Sequence, residues 1–240
     1  MENVHQKGKL YLIPNRLGDL PPLEVLPLSI RKVINEIDHY IVENEKVARH
    51  FIKKIVPSKS QPSLDFKLLN KFTSDLEIPN FLDPCEQGIN MGLLSDAGCP
   101  GVADPGAQVV ALAHQKNIQV VPLVGPSSIL LALMSSGLNG QSFTFHGYLP
   151  IDNQERKHFV KKIEKASKEL NQAQIFIETP YRNNKLLISL ISTLQASTRI
   201  CVAVDLTLST EFIKTQTAAE WKKTSIDLHK RPAIFIIQGL

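Results

Sequence analysis

The residues best suited to chemistry lie between Leu94 and Gly106. There Leu94-Ser95-Asp96-Ala97-Gly98-Cys99-Pro100-Gly101-Val102-Ala103-Asp104-Pro105-Gly106 places three glycines, two prolines and two aspartates in one connection. Glycine reaches positive φ and lets a ligand approach the backbone, and proline stiffens a loop at low entropic cost, so a rigid pocket lined by main chain is expected. Neither Gly-x-x-x-x-Gly-Lys-Ser/Thr nor Gly-x-Gly-x-x-Gly occurs in the chain, which argues against a phosphate cradle. The stretch carries two carboxylates and no Lys or Arg, so a polyanion would be repelled. A neutral or cationic ligand suits it, such as a nucleoside bearing a sulfonium and an amino-acid end. Asp96 either meets that ligand or closes an Asx-turn. Asp104 before Pro105 has the form of a helix N-cap followed by its first residue.

Four more segments compete for a role. Pro122-Leu123-Val124-Gly125-Pro126-Ser127-Ser128 follows one expected strand and opens a helix, which Ser127 or Ser128 could cap as readily as bind a ligand. Together with the turn after Pro14, these loops fall at the carboxyl edge of a parallel sheet, where open α/β folds bind ligands. Glu178-Thr179-Pro180-Tyr181-Arg182 offers an acid, a phenol and a guanidinium at a strand's end, or else the start of a solvated helix. Glu43-Asn44-Glu45-Lys46-Val47-Ala48-Arg49 has the acid-first order that a helix start favours. Glu155-Arg156-Lys157-His158 with Lys161, Lys162, Lys165 and Lys168 is a solvated helix face or a contact for an RNA backbone. The histidines lack metal-ligand spacing, no metal is expected, and there is no Gly-x-Ser-x-Gly elbow.

The elements that must position these loops follow from hydrophobic period and punctuation. Lys9–Pro14 is a strand; Leu26, Ile30, Val33, Ile34 and Ile37 mark a helix; His39–Val42 is a strand; Val47, Phe51, Ile52 and Ile55 mark a second helix. Residues 57–90, broken by four prolines, read as an excursion outside the sheet around a helical run Leu64–Phe72. Met91–Leu94, a helix Asp104–His114, Gln119–Leu123 and a helix Ser127–Ser136 resume the alternation. Then come Phe143–Tyr148, a basic helix Asp152–Leu170, Ile175–Glu178, a helix Asn183–Leu194, Ile200–Leu206, Glu211–Thr215, a short helix Ala218–Lys222 and Ala233–Gln238. Strands in succession without long helices imply antiparallel pairing in this half. The fold class is therefore α/β, with two α/β domains: residues 1–139 around a mostly parallel sheet and residues 140–240 around a mixed one.

Composition bounds the rest. The chain has 240 residues, 43% hydrophobic and 21% charged, enough for a sizeable core and unlike a disordered chain. The formal net charge of +4 permits a nucleic-acid partner without requiring one. Cys85, Cys99 and Cys201 are odd in number and widely spaced, which speaks against a disulfide framework or thiolate zinc site and for a reducing compartment. Met1–Lys9 lacks an apolar signal core and no apolar run is long enough for a membrane span, so a cytoplasmic location is expected.

Ser95-Asp96-Ala97-Gly98-Cys99-Pro100 with Asp104-Pro105-Gly106, then Val121-Pro122-Leu123-Val124-Gly125-Pro126-Ser127, then Phe145-His146-Gly147-Tyr148-Leu149-Pro150, resemble the tetrapyrrole methylase superfamily. Within it the chain resembles the branch of small-subunit (16S) ribosomal RNA ribose 2′-O-methyltransferases, and Glu178-Thr179-Pro180-Tyr181-Arg182 is similar to that branch's Glu-Ser-Pro-His-Arg motif. The resemblance runs from Leu10 onward. It implies an S-adenosylmethionine-dependent methyltransferase acting on ribosomal RNA, a homodimer without metal, and a cofactor folded into a cleft between the domains. Carried onto matching positions, the cofactor would touch Pro14, Ser95, Asp96, Cys99, Ser127, Ser128, Thr179 and a backbone group at Pro232 or Ala233. Glu43 and Glu178 become candidates to take the acceptor's proton, and Arg182 to position an acceptor phosphate. Two segments depart from the branch: Asn15-Arg16-Leu17 replaces its Gly-Asn-Leu turn and Val42-Glu43-Asn44-Glu45-Lys46 its Ala-Glu-Asp-Thr-Arg motif. Gly239 and Leu240 follow the last strand without the extension that many members carry. Alternatives are methylation of a tetrapyrrole-like macrocycle, for which Arg16, Arg182 and Arg231 would serve, and a cofactor-binding protein with an altered acceptor site.

Overall fold

A computed structural model describes residues 6–239; Leu240 and the first five residues of the polar amino-terminal stretch lie outside them. The chain divides into two compact units, Met1–Pro126 and Ser127–Leu240.

The first unit contains β1 (Lys9–Ile13), α1 (Ile30–Glu36), β2 (His39–Val42), α2 (Glu45–Ile55), β3 (Asp65–Leu68), α3 (Asp83–Glu86), β4 (Met91–Leu94), α4 (Ala107–Gln115) and β5 (Gln119–Pro122). Its sheet has the order β3-β2-β4-β1-β5 and every pairing is parallel. Alternate residues of the strands feed two cores, as a doubly covered parallel sheet requires. Ile13, Tyr40, Val42 and Leu94 pack with Ile30, Ile34, Phe51 and Ile52 on one face. Leu10, Ile41, Met91 and Leu93 pack with Leu82, Val109 and Ala113 on the other.

The register fixes the working edge. Ile13 and Val42 both pair with Leu94, so the residues that follow them, Pro14, Glu43 and Ser95, emerge at the carboxyl ends of three adjacent strands. The expected helix Leu64–Phe72 is instead the edge strand β3. Its apolar positions Leu64, Phe66 and Leu68 recur with period two. Phe66 stacks on Tyr40 at 5.7 Å beneath the Arg49 guanidinium, and the Asp65 and Leu69 amides donate to Asp38 and Val42 carbonyls at 2.9 and 2.8 Å.

The second unit contains α5 (Ser128–Ser136), β6 (Phe143–Tyr148), α6 (Asn153–Leu170), β7 (Ala173–Ile177), α7 (Asn183–Thr193), β8 (Arg199–Val204), β9 (Phe212–Thr217), α8 (Ala218–Trp221) and β10 (Ala233–Gln238). The sheet order is β6-β7-β10-β8-β9, with β6 and β7 parallel and the other pairs antiparallel. A core of Phe176, Phe235, Val202, Leu190 and Trp221 fills the space under α6, α7 and α8. The sequence placed the boundary at 139/140, whereas the units divide after Pro126 because α5 packs on β8, β9 and β10. A helix between two glycine turns that is apolar nearly all round, with Leu130 and Met134 exposed as well as Ile129 and Leu133 buried, has a pattern that serves either sheet, so its allegiance is a tertiary property.

Candidate functional site

In the first unit the Leu94–Gly106 loop is tied to the turn after β1 through Asn15, which is only 3% exposed. The Asn15 amide nitrogen Nδ2 donates to the Ser95 and Asp96 carbonyls at 3.2 and 3.1 Å. The Asn15 and Gly98 main chains exchange two bonds, 2.9 and 3.1 Å long. Ser95 Oγ donates to the Gly98 carbonyl at 2.8 Å, and Cys99 Sγ to the Pro126 carbonyl at 3.5 Å. Gly98 holds φ at 68°. At Gly125 a Cβ would lie 2.2 Å from Pro14 Cγ, so a side chain there would force the two loops apart. Main-chain and short polar contacts thus lock Pro14, Ser95, Asp96 and Cys99 into one rigid surface.

Asp104 does not cap α4. The helix begins at Ala107 with Gly106 in the N-cap position, φ 137° and no side-chain cap, so the Asp104 carboxylate remains free in the loop. It lies close enough to Glu43 to raise the latter's pKa, after burial and ahead of the similar push from Asp96; the Asp96 amide opposes them. Burial, followed by the Asp96 charge, raises Asp104. Burial raises Asp96, with the Asn44 amide pulling the other way, although Asp96 stands at the exposed loop tip. Among the described residues none of these three acids has a cation within salt-bridge distance, and Glu43 Oε1 is buried without a hydrogen-bond partner. Glu45, by contrast, opens α2 behind an Asn44 cap and pairs with Arg49 at 2.8 Å. Beside Asp96 lies a hollow of about 350 Å³ walled by Arg16, Leu17, Val47 and His50. Arg16 is held by Asp19 at 2.8 Å.

In the second unit the carboxyl end of β7 and the start of β10 are neighbours, since Ile177 pairs with Ile234 and Val204 with Ala233. Glu178, 6% exposed, accepts at Oε1 from the Thr179 amide at 2.6 Å and from Arg182 Nε and Nη2 at 2.9 and 2.6 Å. The i,i+4 pair precedes α7, which begins at Asn183 as the sequence pattern predicts, with Arg182 in the N-cap position. Asp205 Oδ2 accepts from Arg231 Nε at 2.8 Å and Thr210 Oγ1 at 2.9 Å. The Asp205 amide donates to the Pro232 carbonyl. Asn183 Nδ2 donates to the Arg231 carbonyl at 2.7 Å and the Lys230 amide to that of Pro180. One network therefore fixes Thr179, Pro232 and Ala233. Ser127 caps α5, accepting from the Leu130 amide, with Ser128 as the first helical residue.

Asn15 is a residue of this site that sequence reasoning passed over, and Asp104 is one that it read as a helix cap. An Asn directly after a strand-ending Pro was the available signal for the first. The Asp-Pro pair concealed the second. Among the described residues no group of three or more His, Cys, Asp or Glu is placed to hold a metal ion, and no helix is long and apolar enough to cross a membrane.

The fold has a counterpart among solved structures. The crystal structure of the methyltransferase CobJ matches it with a TM-score of 0.61 over 97% of this chain and 94% of that one, at 15% identity, a likeness of fold. Among family models none matches the chain. It is 29% identical to ribosomal RNA small subunit methyltransferase I of Vibrio cholerae over 96% of its own length and 77% of that protein's. To the protein of the same name from Bacillus subtilis it is 32% identical, over 86% and 67% respectively. The chain belongs to the ribosomal RNA small subunit methyltransferase I family.

Proposed function

We propose that the protein transfers the methyl group of S-adenosylmethionine to a ribose 2′-hydroxyl of small-subunit ribosomal RNA. The observation that carries this reading is the trio Glu43, Asp96 and Asp104 at the carboxyl edge of a parallel sheet, near enough for their charges to interact and, among the described residues, without a cation within salt-bridge distance. Such a site attracts a positively charged ligand and rejects a polyphosphate. Its glycine turns and main-chain amides leave room for a nucleoside to approach the backbone. Pro14, Ser95, Asp96 and Cys99 are the contacts assigned to the donor on the first unit; Ser127, Ser128, Thr179, Pro232 and Ala233 are those assigned on the second.

The donor's sulfonium supplies a methyl carbon that is already activated. What remains for the chain is to align donor and acceptor, exclude water, and remove the hydroxyl proton. Glu43 is assigned that proton, at its unpartnered Oε1. A carboxylate whose pKa is raised by burial and by two like charges is a stronger base than a free one. Glu178 is less suited to the task, because its Oε1 already accepts three bonds; we assign it the positioning of Arg182. Arg182 Nη1 makes no bond among the described residues and can meet an acceptor phosphate. Arg16 and Arg231 are tied to Asp19 and Asp205, leaving too few free arginines for a macrocycle rich in carboxylates. A homodimer and a cytoplasmic setting complete the reading, the latter supported by three cysteines that are all free thiols.

The test is transfer of labelled methyl from S-adenosylmethionine into small-subunit RNA from cells lacking the gene, with mass spectrometry locating the product. Label in a 2′-O-methylated nucleotide is expected, with turnover by Glu43→Gln reduced about 10²- to 10⁴-fold and donor affinity retained. Donor binding without transfer to any RNA would overturn the reading.

A further inference from the structure

Helix α6 carries six Lys or Arg and three Glu over Asn153–Leu170. Lys157, Lys161, Lys165 and Lys168 stand at i, i+4, i+8 and i+11, on one side of the helix, and all four are exposed. The row spans about 16 Å, advancing about 6 Å with each step of four residues. The acids do not neutralise it. Glu164 is buried, where its Oε1 accepts from the Gln195 amide at 2.8 Å and from Thr198 Oγ1. Glu169 reaches only Lys165, at 3.7 Å, and Glu155 sits in the first turn, where it serves the helix dipole.

Like charges four residues apart weaken a helix, so the row costs the fold something and stabilises nothing within it. The helix is secured elsewhere: Asp152 accepts from the Gln154 and Glu155 amides, Asn171 closes the far end in the left-handed region, and Val160 and Ile163 are buried in the second core. Beside the row is a hollow of about 360 Å³ lined by Lys161, Lys165 and Lys168, by Thr193, Gln195 and Thr198, and by Glu164, whose Oε1 is taken up by Gln195 and Thr198.

We propose that this face of α6 forms a docking rail for the ribose-phosphate backbone of the RNA acceptor, with successive phosphates lying along the lysine row. The proposal rests on the RNA reading above and names the surface it requires. A phosphodiester strand offers evenly spaced single charges along a line, which a row of ammonium groups at regular pitch can follow irrespective of sequence. A membrane surface is a poorer partner, because an interfacial helix needs a free apolar face and that of α6 is buried on its own sheet.

The test compares K157Q/K161Q/K165Q/K168Q with K32Q/K53Q/K222Q/K223Q, which removes the same charge from exposed sites elsewhere. Binding of small-subunit RNA from cells lacking the gene is measured across a salt series, alongside transfer kinetics. The α6 variant is expected to lose at least tenfold in affinity at low salt and to flatten the log K against log salt slope by about 3. Its KM for RNA rises while kcat and donor affinity stay unchanged, and the control keeps the wild-type slope to within about one. An α6 variant equal to the control in slope and KM overturns the proposal, including the case in which the row turns out to bind an acidic protein. Should the wild type bind RNA yet transfer no methyl to it, the functional reading fails and the slope comparison still decides the surface.

Discussion

Both units place carboxylates at the ends of their strands, and they treat them in opposite ways. In the second unit Glu178 and Asp205 are each clamped by an arginine and by a main-chain or hydroxyl donor. They build loops. In the first unit Glu43, Asp96 and Asp104 have no cation within salt-bridge distance among the described residues; burial raises the pKa of all three, and neighbouring carboxylates push Glu43 and Asp104 further up. Here the loops are built by other means: the Asn15 amide, the Ser95 hydroxyl, and glycine turns. An acid that is spared structural work but kept desolvated beside its like is one held for a ligand or a proton.

Breaking the second unit's clamp should have the largest effect on stability. Arg231→Ala strands the Asp205 carboxylate, whose side chain is 9% exposed, and is expected to cost roughly 2–4 kcal/mol, read as a shift in urea midpoint at unchanged m-value. The first unit should respond with the opposite sign. Asp104→Asn removes a charge that opposes folding. Because the folded-state pKa of Asp104 lies above its ordinary value, the wild type binds the extra proton when folded, and its stability falls as pH rises through the interval between the two values. The variant should therefore match the wild type at low pH and exceed it at neutral pH, by on the order of 1–3 °C in Tm. Without the Asp104 charge, Glu43 should ionise at lower pH. The acid limb of the pH-rate profile then moves down, since transfer requires Glu43 ionised. A limb that does not move would separate Glu43 from the proton transfer.

Much of this was legible in the sequence. The parallel and mixed sheets and the three loops at strand ends follow from local pattern alone. Three features did not. β3 hides among prolines, because a four-residue edge strand is defined by the neighbour that accepts it, here β2, more than by its own period. Asp104 bears a helix-start signature, yet the positive φ of Ala103 and Gly106 carries the chain past it before α4 begins. Asn15 acts across 80 residues, and such a bond leaves no trace in local spacing.

The unpaired acids of the first unit are tested most directly by calorimetry of donor binding in two buffers of different ionisation heat, repeated over a pH series on the acid side of neutrality. S-adenosylmethionine is expected to bind with net release of protons, as its positive charge pulls those acids down, while ATP gives no heat. Asp96→Asn should bind the donor more weakly and release fewer protons. Binding of ATP, or donor binding that releases no protons and is indifferent to Asp96→Asn, would contradict the account.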